Sequence, residues 1–126
     1  MSKKRSANFY DQKIIEALRK LPSPIEDKRH NLLIYVEDDR SRSNETRFEH
    51  IAKNYHELKV KDIEAIPKGI VQYVKFKKSK ELKETYYYYI KRKNDKGGFI
   101  RLAVKLFDGE KKKAYIKTIF ITYRIK

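Results

Sequence analysis

Two of the three histidines of this chain lie close together, in the stretch RFEHIAKNYHEL that spans residues 47–58. Such a pair can bind a metal ion, transfer protons in catalysis, or form two solvated positions of a polar helix. A helical zinc site places its histidines four residues apart on one face. His50 and His56 are six residues apart, which separates them by about 120° around a helix at about 100° per residue. The spacing disfavours a shared ion, and we expect neither a metal nor a cofactor.

The composition indicates an anionic partner. The 126 residues include 32 Lys and Arg against 17 Asp and Glu, a formal net charge of +15. A polyanion is the natural partner of such an excess, and RNA or DNA comes first. An anionic membrane and an acidic protein stay open on charge alone.

Other features of the composition restrict the class of protein. The chain has no cysteine, which excludes disulfides, iron–sulfur clusters and thiolate zinc sites. The start, MSKKRSANFYDQK, lacks the apolar region of a secretory signal, and no apolar run approaches the about 20 residues of a membrane helix. We therefore expect a cytoplasmic protein without membrane association.

RNA cleavage is the proton chemistry that best fits a basic protein with histidines. Attack by a 2′-hydroxyl needs a base for its proton, an acid for the leaving 5′-oxygen, and cations over the phosphorane charge. Histidine titrates at about pH 6.5 and can fill either proton role. RNA supplies its own nucleophile, so a histidine, a basic residue and a hydroxyl donor suffice without metal. Ordinary solvation remains the alternative for His50 and His56, and it is the favoured interpretation for His30.

Helices followed by strands must position these side chains. Apolar residues recur with the helical period in residues 8–21, which predicts an amphipathic helix that ends at Pro22. NLLIYV (31–36) predicts a short strand, and VKDIEAI (60–66) predicts a short helix that ends at Pro67.

From residue 70 onward apolar residues recur at every second position, the period of a β-strand. Four segments follow it: IVQYVKFKK, TYYYYIKR, GFIRLAVKLF and AYIKTIFITYRI. In the third, Ile100 and Leu102 point to one side while Arg101 and Lys105 point to the other. The short turns favour an antiparallel meander. The predicted fold class is α+β, with N-terminal helices packed on a four-stranded antiparallel β-sheet, in a single domain over residues 1–126.

The segment RFEHIAKNYHELKVKDIEAIPKGI resembles the pattern H-I-x-x-x-H-x-E…I…I-P…I of toxin-like domains from prophages and mobile genetic elements. These domains belong to the barnase–EndoU–colicin–RelE (BECR) superfamily of ribonucleases. The hairpin YYYYIKRKNDKGGFIRLAVKLF and the final YIKTIFITYRIK fit the same arrangement. The resemblance covers roughly residues 45–123 and leaves residues 1–40 as a variable N-terminal helical extension. It implies the fold predicted above and a metal-independent endoribonuclease that cuts tRNA or mRNA to a 2′,3′-cyclic phosphate.

The resemblance also implies catalytic residues and a partner. His50 matches the first histidine of the motif, the general acid or base. His56 matches the second, and a helix-capping role stays open as its alternative. The family's H-P-E has lost its proline here, so that Glu57 follows His56 directly. Thr118 matches the hydroxyl residue of the final strand, and Arg101 would clamp the phosphate. An active toxin would have an acidic immunity or antitoxin protein as its partner.

Further basic residues would contact the RNA, namely Arg47, Lys53, Lys105 and Lys117. Lys117 and Thr118 are neighbours in a strand, so they cannot line one cleft unless a bulge intervenes.

The tyrosine run 86–89 divides by alternation into two pairs. One pair packs in the core and the other can stack on unpaired bases. The sequence does not decide which is which, and we assign Tyr87 and Tyr89 to RNA.

Two other functions stay open. A non-catalytic phage or mobile-element module, which binds nucleic acid or inhibits a protein, needs only the charge and the tyrosines. A metal-dependent nuclease could use Glu37, Asp38 and Asp39 of VEDDR. Acids adjacent in sequence seldom converge on one ion, however, and these more simply solubilise a loop.

Overall fold

The computed structural model describes residues 10–42, 44–53, 57–93 and 96–125. The helices in these ranges are α1 (Gln12–Arg19), α2 (Arg47–Ile51), α3 (Val60–Glu64) and α4 (Ile66–Val71). The main sheet contains β1 (Ile25–Asp27), β2 (Leu32–Tyr35), β5 (Lys75–Lys78), β6 (Thr85–Lys91), β7 (Phe99–Leu106) and β8 (Lys113–Thr122). A separate two-stranded ribbon consists of β3 (Arg40–Arg42) and β4 (Glu45–Thr46). None of the described helices is long and apolar enough to cross a membrane.

The main sheet has six strands in the order β1-β2-β8-β7-β6-β5. The α+β class is confirmed, and the meander from β5 to β8 is antiparallel as predicted. The prediction of a four-stranded antiparallel sheet is wrong. Strand β2 adds to the outer side of β8 in parallel orientation, and β1 pairs with β2. The result is a mixed, curled half-barrel with the helices on one face.

Residues 10–40 share the hydrophobic core with the rest of the chain. Helix α1 buries Ile14 and Leu18, and the strands β1 and β2 bury Ile25 and Ile34 in the same cluster. Asp11 caps α1, since its carboxylate accepts a hydrogen bond from the Lys13 N–H at 2.9 Å. The segment that the resemblance leaves outside its range is thus packed into the same core.

Helix α4 occupies residues that the sequence assigned to a helix end and a strand start. The predicted helix ends earlier than expected, at Glu64, and the separate helix α4 begins at Ile66 and runs to Val71, so that β5 begins only at Lys75. Proline has no backbone N–H, and it is tolerated there because N–H groups in the first turn of a helix have no acceptor within the helix. Gly69 lets α4 approach β6 closely, since a Cβ at this position would lie 2.5 Å from Cγ2 of Ile90.

His30 links the two edge strands of the curled sheet, β1 and β5. Asp27, at the end of β1, accepts hydrogen bonds from the Tyr88 hydroxyl of β6 and from His30, whose Nδ1 lies 2.8 Å away. The imidazole of His30 stacks on Phe76 of β5 with 3.7 Å between ring centroids. Its Nε2 lies 3.4 Å from the Tyr73 hydroxyl. His30 therefore has a structural role in closing the half-barrel.

Candidate functional site

Helix α2 carries two of the predicted site residues, Arg47 and His50, one turn apart. The helix begins after Thr46, whose hydroxyl accepts a hydrogen bond from the Glu49 N–H at 3.2 Å. The Glu49 carboxylate accepts one in return from the Thr46 N–H at 2.9 Å. Residues three apart on a helix lie on the same side, and α2 packs against β8. The helix therefore holds Arg47 and His50 on one side, next to the last strand of the sheet.

A buried carboxylate, Glu45, orients the ring of His50. Glu45 is 8% exposed, and its Oε2 lies 2.9 Å from Nδ1 of His50 and 3.2 Å from Nζ of Lys53. Tyr10 donates a hydrogen bond to Oε1 at 3.2 Å. Burial acts to raise the pKa of Glu45, but hydrogen bonds from His50 and Lys53 outweigh it, and the pKa lies below its ordinary value. Because an ionised carboxylate only accepts hydrogen bonds, Nδ1 of His50 is the donor, which leaves the lone pair of the neutral ring on Nε2.

We call the side of the sheet opposite the hydrophobic core the open face. Ile100, Leu102 and Val104 of β7 belong to the core cluster, so the residues that alternate with them lie on the opposite side. The register of β5 to β8 gives the strand residues of the open face: Lys75, Lys77, Thr85, Tyr87, Tyr89, Lys91, Phe99, Arg101, Ala103, Lys105, Tyr115, Thr118, Phe120 and Thr122. In these four strands the positions include basic residues and no acidic residue, whereas β1 adds one acid to the same side, Glu26, which is exposed between the buried Ile25 and Asp27. The part of the open face formed by β5 to β8 therefore presents positive charge to a ligand.

A β-bulge brings Lys117 and Thr118 to the same cavity. Ala103 of β7 pairs with Thr118, but the next residue, Val104, pairs with Ile116. Lys117 is the extra residue of the bulge, which permits what strict alternation forbids. The cavity has a volume of about 100 Å³ and is lined by Leu82, Tyr87, Arg101, Ala103, Lys117, Thr118 and Phe120.

Arg101 and Thr118 each contribute a buried polar atom to this region. The guanidinium of Arg101 lies over the ring of Tyr87, with 4.0 Å from Cζ to the centroid. Nε of Arg101 and Oγ1 of Thr118 are buried and have no hydrogen-bond partner within the described residues. An unsatisfied buried polar group costs about 1–3 kcal/mol. Both residues also line the cavity, where a ligand with oxygen acceptors would lie beside them.

Arg47 contributes a third atom of this kind. Its Cζ lies 4.4 Å from the ring centroid of Tyr115, and its Nε is buried without a hydrogen-bond partner in the described part of the chain. Tyr115 lies on the open face opposite Lys105. Arg47 thus connects two groups of predicted residues, because it shares α2 with His50 and the open face with Arg101.

The remaining predicted residues have different surroundings. Lys53 belongs to the cluster around Glu45. Tyr89 lies on the open face but is only 1% exposed, so its ring offers no surface to a base. His56 lies outside the described residues.

Sequence reasoning missed Glu45 and Tyr115. Glu45 precedes α2 and belongs to the ribbon strand β4, so helical spacing from His50 gives no signal for it. Tyr115 alternates with two buried residues, Ala114 and Ile116. That alternation could have placed it on the polar side of β8.

The acids of VEDDR have a structural contact, and metal ligands are not grouped in the described ranges. Asp38 accepts a hydrogen bond from the Phe48 N–H at 2.9 Å, within the first turn of α2. No cluster of three or more His, Asp or Glu residues that could hold a metal ion occurs among the residues described. Comparisons with protein-family models, with curated proteins and with solved structures found no match to this chain. The resemblance to the BECR ribonucleases therefore stays a prediction.

Proposed function

We propose that this protein is a metal-independent endoribonuclease that binds RNA on the open face and cleaves it to a 2′,3′-cyclic phosphate. The observation that carries the proposal is the set of buried donors on Arg47, Arg101 and Thr118 that have no partner in the described ranges. They lie beside the part of the open face formed by β5 to β8, whose strand positions hold no acidic residue. Phosphate oxygens are strong acceptors, and the planar fork of a guanidinium matches their geometry.

His50 would carry one of the two proton transfers. In the reaction the 2′-oxygen loses its proton to a base and bonds to phosphorus, while the bond to the 5′-oxygen breaks and that oxygen takes a proton from an acid. With Nδ1 held by Glu45, the proton would move at Nε2 of His50. Arg47 and Arg101 would stabilise the charge of the phosphorane. By the resemblance, the second proton role falls to His56.

A second candidate is a non-catalytic module that binds nucleic acid or covers an acidic protein. The stack of Arg101 on Tyr87 and the charge of the open face favour it, because neither requires His50. The toxin-like resemblance supports tRNA or mRNA as the substrate and an acidic immunity or antitoxin protein as the partner. Such a partner would be steered electrostatically to the same basic face.

The test uses purified wild-type protein and His50→Ala, each incubated with tRNA and mRNA in excess EDTA, followed by identification of the 3′ ends. We expect cyclic phosphate from the wild type and intact RNA from the variant. Arg19→Ala removes one exposed charge from α1 and should cleave like the wild type. Cleavage by His50→Ala would refute the role of His50. Intact RNA in every sample, with a gel shift that weakens with salt, would support the binding module instead.

A further inference from the structure

We infer that the open face binds unpaired RNA bases at two stacking subsites, one formed by Arg101 and Tyr87 and the other by Arg47 and Tyr115. The inference rests on the proposed function for the identity of the ligand as RNA. It adds the form of RNA that the protein prefers, which is the single strand.

The two pairs share one geometry although they come from different elements. Arg101 of β7 lies over Tyr87 of β6 at 4.0 Å, and Arg47 of α2 lies over Tyr115 of β8 at 4.4 Å. In both pairs the guanidinium carbon lies over the ring, and all four residues remain partly exposed. Proteins that recognise single-stranded RNA stack its bases on aromatic rings and on Arg guanidinium planes.

The spacing of the two pairs suits an extended strand. Tyr87 is opposite Ala103, and Tyr115 is opposite Lys105, two residues further along β7. Two strand intervals of about 4.8 Å and two residues of about 3.4 Å separate the rings by about 12 Å at the level of the backbone. The cavity that holds Lys117 and Thr118 adjoins the first pair, so a base there would bring its phosphate to these donors. Bases within a duplex are stacked on each other and expose only their edges, so they cannot stack on the side chains of either subsite.

The second subsite is in contact with further aromatic rings. The centroid of Tyr115 lies 5.0 Å from that of Phe107, and Phe107 lies 5.9 Å from Tyr35 of β2. This row fixes Tyr115 before any ligand binds, which lowers the ordering cost of binding.

The experiment measures binding by fluorescence anisotropy in the His50→Ala background, so that no RNA is cleaved. The probes are a labelled single-stranded oligoribonucleotide, the same strand in a duplex, and the same strand with abasic sites. The test variants are Tyr87→Leu and Tyr115→Leu, and the matched controls are Tyr87→Phe and Tyr115→Phe, which retain the ring. Arg101→Lys keeps the positive charge but removes the planar guanidinium. It replaces a leucine variant as the test if that variant fails to fold.

We expect the single strand to bind more tightly than the duplex. Each leucine variant should lose about 5- to 150-fold in Kd for the normal strand, the range that corresponds to one stacked base. The abasic strand should show no such loss, and the phenylalanine controls should keep the starting affinity. Equal affinity for duplex and single strand would overturn the inference, as would folded leucine variants that bind the normal strand undiminished.

The two proposals fail separately. A protein that does not cleave RNA but prefers the single strand through these rings refutes the ribonuclease alone. A ribonuclease without that preference refutes the stacking subsites alone.

Discussion

Asp27→Ala should destabilise the fold because it removes the acceptor that joins the ends of the curled sheet. Asp27 is 3% exposed and accepts hydrogen bonds from the Tyr88 hydroxyl, from Nδ1 of His30 at 2.8 Å and from the His30 N–H at 3.2 Å. Tyr88 is fully buried, so its hydroxyl cannot turn to water after the substitution. An unsatisfied group of this kind costs about 1–3 kcal/mol. The side chain of His30 is 26% exposed and can bond to water instead, so it adds less.

The same carboxylate predicts a pH dependence with a definite sign. Burial acts to raise the pKa of Asp27, but hydrogen bonds from Tyr88 and His30 outweigh it, and the pKa lies below its ordinary value. A carboxyl group whose pKa is lowered on folding contributes stability above its ordinary pKa of about 3.9. That contribution is lost as the pH falls through the folded-state pKa. The difference between wild type and Asp27→Ala should therefore be widest at neutral pH and narrow below about pH 4.

Urea unfolding followed by circular dichroism, at neutral and at acidic pH, measures these free energies. Asp108→Ala removes an exposed carboxyl group and should stay within about 0.5 kcal/mol of the wild type. Asp27→Asn keeps the shape but removes the charge, so it should fall between the two and depend less on pH. The reasoning is refuted if Asp27→Ala unfolds at the same urea concentration as Asp108→Ala, or if acid leaves their difference unchanged.

Three further substitutions test the site and the packing around it. Glu45→Gln should slow RNA cleavage by about 10- to 150-fold, because a hydrogen bond to a charged group is worth about 1.5–3 kcal/mol. Single-turnover assays measure the rate, and urea unfolding of the same variant would detect a purely structural effect. Unchanged cleavage would contradict the orienting role of Glu45. Gly69→Ala should lower the free energy of unfolding by about 1–3 kcal/mol, because the added methyl overpacks against Ile90. Ile90→Ala should lower it less in the Gly69→Ala background than in the wild type, which a double-mutant cycle in urea measures. Asp62→Ala should lower the free energy of unfolding by about 3–5 kcal/mol, because Arg92 is buried and donates hydrogen bonds to both carboxylate oxygens at 3.0 Å. A urea midpoint equal to that of the wild type would show that this pair does not stabilise the fold.

The alternation of the sequence predicted the open face but not the whole sheet. Arg101 and Lys105 alternate with buried aliphatic residues, which was enough to place them on the polar side of β7. The parallel pairing of β2 with β8 joins segments far apart in the chain, and no local pattern encodes such a partner. The bulge at Lys117 depends on the register between β7 and β8, which is likewise set by packing. Helix α4 was missed because Pro67 ends a helix in its interior but is tolerated in its first turn.

Two histidines of this protein each bond to a buried acid, and their surroundings distinguish them. Around His30 the contacts are complete: Asp27 bonds to Nδ1, the Tyr73 hydroxyl lies at Nε2, and Phe76 covers the ring. Such a network stabilises a fold and leaves no donor for a ligand. Around His50 the acid fixes the ring in the same way, but Arg47 one turn away holds a buried donor without a protein partner in the described ranges. Since proteins rarely leave buried donors unsatisfied, the histidine beside the unsatisfied donor is the better candidate for chemistry on a bound phosphate, although both histidines have a carboxylate partner.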